Sequence, residues 1–439
     1  MNHPTDTSIY APHGTPPARQ LVPLGLQHVV AAVAGMMTPA ILVASACGLT
    51  PEESTLLIQV SLILSALATL LQLFPMGGKI GSGLPVIMGC SFAYLPTLQA
   101  IGISFGLPAI LGAEIIGGCI AIVFGLFVKQ IRPLFPPLVT GTVIFTIGLS
   151  LYPTAVQYMA GGSESPGFGS PKNWAVALLT FVVVIVLQNY AKGVLHLGAV
   201  LFGMITGYLA ALALGMVAFD TVASSSWFAL PAPLKFGITF EASTCASLGI
   251  VYAVNAVQTI GDLSSTTMGG MDRMPTDREL SGGIIGQGVM SLAGALFGGL
   301  PTASYSQNVG IVTVNRVINR AVFTLAALVL LAAGLVPKFG ALLTTIPQAV
   351  IGGATLSVFA AIAMTGVRMI TSEGFSMRSS TVVGLSVAPG VGICQAGTAC
   401  LQGFPAWVAA VFASTPVVVS ALMAIALNLL LPKDHTQQK

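Results

Sequence analysis

Long apolar runs, separated by short clusters of polar residues, glycine and proline, recur along the whole 439-residue chain. A hydrocarbon core about 30 Å thick takes about 20 helical residues per crossing, and fewer where a helix is broken and buried by its neighbours. On that measure fourteen segments qualify, near 22–45, 54–74, 84–103, 107–127, 136–152, 174–190, 195–218, 246–268, 281–299, 304–320, 322–336, 347–367, 378–393 and 404–431. The pattern predicts an all-α polytopic membrane protein.

Two of the runs are the wrong kind for a continuous lipid-facing helix. The third opens with Gly81, Gly83 and Pro85, and the tenth carries a polar cluster at Ser304–Asn308 followed by β-branched residues. Non-helical backbone at membrane depth is tolerated only where protein buries it or water reaches it, and paired interruptions in two halves point to a transporter site. Each interrupted run is third in its set of seven. Because seven is odd, the halves must have opposite topology, which makes a 7+7 inverted repeat the economical architecture. Short extended segments are expected at Leu84–Cys90 and Asn308–Thr313, side by side near the midplane, each leading into a half-helix whose N-terminus faces a ligand.

Composition agrees and removes other classes. Lys, Arg, Asp and Glu supply 7% of the chain, against about 25% in an ordinary soluble protein, and mean hydropathy is +0.91. A net charge of +3 leaves no basic face for nucleic acid. The six cysteines show no CxxC or Cys/His spacing, so neither a metal site nor a disulfide framework is expected, and no cofactor. An intramembrane enzyme would need a nucleophile–base pair or an HExxH constellation, and a channel would need rings of polar residues along a pore. Neither pattern is present.

Of the sixteen Lys and Arg residues, only Lys172, Lys235 and Lys338 fall outside the loops that fourteen spans with both ends inside would make cytoplasmic. That bias predicts a plasma or inner membrane protein with short polar cytoplasmic tails at 1–20 and 432–439.

Ionisable groups inside spans are expensive and are functional candidates by default. Glu114 and Asp262 qualify, with His28 beside them, and the neutral amides Gln258, Gln287, Gln307 and Asn308 complete the set. Gln258 and Asp262 are four apart, hence on one helix face. Gln287 lies between Gly286 and Gly288, where its amide serves close helix packing as readily as a ligand. His28 reads more readily as a satisfied core histidine than as a ligand contact, and Glu114 as a buried strut.

Ser306-Gln-Asn-Val-Gly-Ile-Val-Thr-Val-Asn-Arg316 resembles the signature of the nucleobase–ascorbate transporters, also called the nucleobase–cation symporter-2 family, in which Gln/Glu/Pro-Asn-x-Gly is followed by Thr-Arg/Lys/Gly. It matches at Gln307, Asn308, Gly310 and Arg316, with Asn315 in place of the Thr. Gly25-Leu-Gln-His28, Ser91-Phe-Ala-Tyr94 and Gln258-Thr-Ile-Gly-Asp262 are similar to further family segments, in order along the chain. The resemblance implies fourteen spans as two inverted repeats. A core domain (21–131 and 242–346) would move against a gate domain (132–220 and 347–431), commonly in a homodimer. It also implies a substrate site of Gln258, Gln307, Asn308, Phe92, Ala93, Gly310 and His28.

This chain departs from the family pattern where proton-coupled relatives place carboxylates, carrying Gln258 and Gln287 instead. A Gln can donate to and accept from a planar base edge but cannot titrate, which leaves Asp262, His28 and Glu114 as coupling candidates and H+, Na+ or uniport all open. Gln307 at the first motif position is associated in the family with oxidised purines such as xanthine and urate. The alternatives are uracil or another nucleobase, or an inorganic anion carried by a similar fold. The charge distribution makes one direct prediction. A cysteine at Pro275, between Arg273 and Arg278 in a cysteine-depleted variant, should resist an impermeant reagent applied to intact cells, and ready labelling would reverse the topology.

Overall fold

The computed structural model describes residues 8–432 apart from 163–164, 166, 373 and 414. Most of the expected C-terminal tail and the first seven residues therefore lie outside the described residues. In chain order the main helices of the first half are α1 (Ala18–Ala46), α2 (Pro51–Leu73), α3 (Leu95–Leu126), α4 (Pro137–Met159), α5 (Pro171–Tyr190) and α6 (Ala199–Ala213). The second half contributes α7 (Ala242–Met271), α8 (Asp277–Phe297), α9 (Ser306–Asn315), α10 (Arg320–Gly334), α11 (Pro337–Thr344), α12 (Gln348–Thr371), α13 (Met377–Ala396) and α14 (Pro416–Leu430). Two three-residue strands, β1 (Met88–Cys90) and β2 (Thr302–Ser304), precede α3 and α9.

Among the described residues nine helices are long and apolar enough to cross a membrane, and α10 with α11 makes a tenth candidate bent by 77°. The fold is thus a polytopic helical bundle. The most apolar windows of α5 and α13 are only 28% and 22% buried, against 72% for α2, so these two helices lie at the outside with apolar side chains turned outward.

Local chemistry explains the boundaries. α2 and α8 each start with a capping box, Thr50 with Glu53 and Thr276 with Glu279, in which hydroxyl and carboxylate satisfy each other's backbone N–H groups. Inside α3, Gly106 adopts φ 76°, which breaks the helix between the third and fourth expected spans. The last expected span, 404–431, is two helices, Ala406–Phe412 and α14. Pro416 lacks the N–H that a continuous helix would need and starts the second piece instead.

One expectation is corrected. Asn308–Thr313 is not extended but lies inside α9, and the second strand sits earlier, at Thr302–Ser304. The β-branched residues of α9 cost only tenths of a kcal/mol each in a helix, less than leaving a run of buried backbone groups without helical partners. The N-terminal segment is also more than a loose tail. The Asn319 side chain, on the α9–α10 turn, donates to the carbonyls of Ser8, Ala11, His13 and Gly14 at 3.1–3.3 Å.

α4 and α12 pack so closely that glycine is required where they cross. A Cβ on Gly148 would sit 2.5 Å from the Ala363 nitrogen, and one on Gly366 2.4 Å from the Phe145 nitrogen. Backbone cannot yield as a flexible side chain can. Gly148→Val is expected to cut the yield of monodisperse protein severely in detergent size-exclusion chromatography. Gly392→Ala on α13, where a Cβ would meet nothing within 4 Å, should behave as wild type, and equal profiles for the two would contradict the packing account.

Candidate functional site

The site is built on the two strands. β1 and β2 pair antiparallel, with Met88 opposite Ser304, Gly89 opposite Ala303 and Cys90 opposite Thr302. Tyr305 extends the ladder by donating its N–H to the Ile87 carbonyl at 3.0 Å, and its hydroxyl donates to the Cys90 carbonyl at 2.5 Å. Because the strands are antiparallel and a helix follows each at once, the N-terminal ends of α3 and α9 are turned towards the strand pair. Tyr305 does not cap α9 with a side-chain hydrogen bond, which leaves the first N–H groups of that helix as donors, whereas at the start of α3 the Leu95 N–H donates to the Phe92 carbonyl and Pro96 has none.

Beside this crossing lies a cavity of about 250 Å³. One wall comes from Ser91, Phe92 and Ala93 after β1, Gln258 of α7, and Ser304 to Gln307 at the β2–α9 junction. Ile144 and Ile147 of α4, with Val358, Ala361, Ile362, Thr365 and Arg368 of α12, form the other. Phe92 meets Phe359 of α12 edge to face, with ring centroids 5.4 Å apart.

Of the residues expected to bind substrate, the fold brings Gln258, Gln307, Phe92 and Ala93 to this cavity. Neither Gln258 nor Gln307 makes a side-chain hydrogen bond among the described residues, so both amides are free to pair with a ligand. Asn308 and His28 do not line the cavity. They are buried behind it, where the Asn308 amide lies 3.0 Å from both His28 Nδ1 and the His28 carbonyl, and the His28 ring packs on Phe323 with centroids 4.5 Å apart. Gly310 is exposed on α9, away from the lining residues. Adjacent residues of a helix point about 100° apart, so Gln307 can face the cavity while Asn308 faces α1.

Asp262, one turn beyond Gln258, accepts from Ser304 Oγ at 2.5 Å and from Ser306 Oγ at 2.8 Å. Its carboxylate thereby straps the β2–α9 junction to α7. Gln287 is fully buried in a network: it donates to Tyr94 Oη at 2.9 Å and Asn255 Oδ1 at 2.6 Å, and accepts from Thr259 Oγ1 at 2.8 Å. Glu114 is also fully buried, and neither of its oxygens has a hydrogen-bond partner among the described residues. It sits in the tight contact between α3 and α8, where a Cβ on Gly294 would lie 3.1 Å from Glu114 Oε1.

Sequence reasoning missed Tyr94, Asn255 and Thr259 as partners of Gln287, Ser304 and Ser306 as partners of Asp262, and Arg368 as a lining residue. A signal existed for part of this: Asn255, Gln258, Thr259 and Asp262 recur at helical spacing along one expected span.

The permease-family model Xan_ur_permease matches residues 19–398. This chain belongs to the nucleobase–ascorbate transporter family. Its relatives include the uric acid permease PucK of Bacillus subtilis, 35% identical over 94% of this chain and 95% of that one. The xanthine permease XanQ of Escherichia coli is 30% identical over 100% of this chain and 97% of its own. Among solved structures, the transmembrane domain of the cyanobacterial bicarbonate transporter BicA shares the fold, with a TM-score of 0.61 at 17% identity over 93% of this chain and 97% of that chain. The protein is therefore a membrane permease and not an enzyme.

The Gln287 network generates a test of its own. Gln287→Ala would leave Tyr94, Asn255 and Thr259 short of partners in a buried site, at about 1–3 kcal/mol. The variant is expected to show a clearly lower melting temperature in detergent than wild type. An unchanged melting curve would remove the network from the structural account of this permease.

Proposed function

We propose that this permease carries a nucleobase, specifically an oxidised purine such as xanthine or urate, by secondary-active transport. The observation that carries the reading is the pair of unpartnered amides, Gln258 and Gln307, lining one cavity with the aromatic face of Phe92. A purine presents a flat ring and an edge of mixed N–H and C=O groups. Amides match that edge because each both donates and accepts, and a stacking ring adds about 0.5–1.5 kcal/mol. The relatives named as uric acid and xanthine permeases support the same substrate class. Ala93 sits beside Phe92 without filling the space a ring would take, while His28 and Asn308 hold α9 against α1 behind the site.

Transport proceeds in this reading by alternating access. The core (21–131 and 242–346) carries the strand crossing and its half-helices, and the gate (132–220 and 347–431) supplies the opposite wall through α4 and α12. Fourteen spans in a 7+7 inverted repeat are supported by the recurrence of a capping box at the start of the second helix of each half, and of a strand and half-helix third in each. Both termini are cytoplasmic in an inner membrane, and the protein assembles as a homodimer through the gate, as its family implies.

Coupling is where this chain departs from the family pattern. Gln258 has no proton to exchange, and Gln287 is locked among Tyr94, Asn255 and Thr259. Asp262 is the first candidate to carry a coupling proton because its carboxylate touches Ser304 and Ser306, which line the cavity. His28 and Glu114 lie further from the substrate, and Na+ in place of H+ remains an alternative driving ion. Uptake of labelled xanthine, urate, uracil and sulfate should be measured across external pH, with and without protonophore and sodium. Wild type is expected to favour the oxidised purines with a shallow dependence on the proton gradient. Gln258→Ala should weaken apparent affinity roughly 5- to 150-fold, and Gln258→Glu should steepen the gradient dependence. Preferred sulfate uptake, or wild-type purine uptake by Gln258→Ala, would refute the reading.

A further inference from the structure

The α12 wall of the cavity is a single stripe. Val358, Ala361, Ile362, Thr365 and Arg368 are spaced three and four apart and share one helix face. Arg368 ends the stripe, about 10 Å along the axis from Ala361. It is the one Lys, Arg, Asp or Glu among the residues that line the cavity. A basic residue in the last turn of a helix ordinarily complements the dipole and marks the cytoplasmic side, roles that need only an orientation towards water or headgroups. Here the side chain belongs to the substrate cavity instead.

Its surroundings leave the charge uncompensated. Arg368 Nη2 donates to Thr365 Oγ1 at 3.2 Å. The ion pairs among the described residues are Lys129–Asp277, Arg273–Glu279 and Arg316–Asp272, none of which involves Arg368. The carboxylate closest to the lining, Asp262, has both oxygens engaged by Ser304 and Ser306. Position 258, which could have offset the guanidinium within the cavity, is a neutral Gln. The cavity therefore combines neutral amides at its strand side with one free guanidinium at the far end of its gate side.

We propose that Arg368 is a specificity residue that favours an anionic oxidised purine over a neutral one, by presenting its guanidinium to the charged edge of the ring system at the cytoplasmic mouth of the cavity. The inference rests on the purine reading and adds to it a residue of the gate. A planar fork of N–H donors matches the adjacent ring nitrogen and carbonyl oxygen of a deprotonated oxopurine, and the charge strengthens those hydrogen bonds. A neutral purine of similar shape gains the donors without the charge term. Since Arg368 is exposed, salt screens the preference.

The test is equilibrium binding of labelled urate, a monoanion at neutral pH, and of labelled hypoxanthine, neutral there, to the purified full-length protein in detergent at low and high salt. Arg368→Gln is expected to weaken urate binding roughly three- to tenfold and hypoxanthine binding less than about twofold. Arg368→Lys should retain most of the difference, and high salt should erode urate binding in wild type but not in Arg368→Gln. Size-exclusion profiles and melting temperatures of the variants verify that they are folded. Equal losses for both purines, or no loss for either, would overturn the assignment while leaving the purine reading intact. A wild type that binds neither purine would overturn both.

Discussion

The centre of this permease depends on satisfying six residues of extended backbone in the interior of a helical bundle. Helices satisfy their own N–H and C=O groups, whereas strands must find a partner, and an unpaired group there costs several kcal/mol. β1 and β2 answer each other in register. Their outer edges are met by other elements: Thr69 Oγ1 accepts from the Met88 N–H at 3.0 Å, and the Tyr305 hydroxyl reaches the Cys90 carbonyl. Gly89 keeps the middle of β1 close to α1 and α2: a Cβ there would lie 2.8 Å from the Met36 side chain and 2.9 Å from Ser65 Oγ, so both side chains would have to shift. The pairing cannot be loosened without freeing backbone that has nowhere else to bond.

From that constraint the position of the site follows. Each strand leads within a few residues to a helix N-terminus, so the start of α9 and the residues of two turns collect at one place. Asp262 holds the second turn to α7, and the same face of α7 delivers Gln258 to the cavity one turn away. The carboxylate thus has a mechanical role whatever its protonation, because without it Ser304 and Ser306 lose their common anchor. A residue that builds the turn and bonds two residues of the cavity lining would transmit a change of charge directly to the cavity wall.

The two walls differ in kind. The strand side is polar at Gln258 and Gln307 and held by hydrogen bonds to neighbours distant in sequence; the α4–α12 side is aliphatic until Thr365 and Arg368 at its end, on two helices that cross at glycines. A polar wall fixes orientation of a ligand edge. Aliphatic side chains make no directional bonds, so the aliphatic wall can shift against its neighbour at low cost.

Much of this was legible in local sequence. Run length marks spans, and glycine and proline at Gly81–Pro85 mark where a helix fails, because both effects act within a few residues. The motif around Gln307 and the Gln258–Asp262 spacing likewise named two residues of one wall, Gln307 and Gln258, while Asn308, Gly310 and Asp262 lie outside the lining. Tertiary structure alone decided which of two neighbours faces the cavity: Gln307 turns to it and Asn308 to His28 through the rotation of one residue. It also decided that the second strand is Thr302–Ser304 and that the β-branched run after it is helical, since only the partner β1 fixes where pairing stops. Gln287 became part of a buried network, and Arg368, in sequence one more cytoplasmic base, became a cavity residue. In each case the deciding quantity was the rotational setting of a helix against elements far away in the chain, which apolar periodicity in a membrane, where both faces are hydrophobic, does not encode.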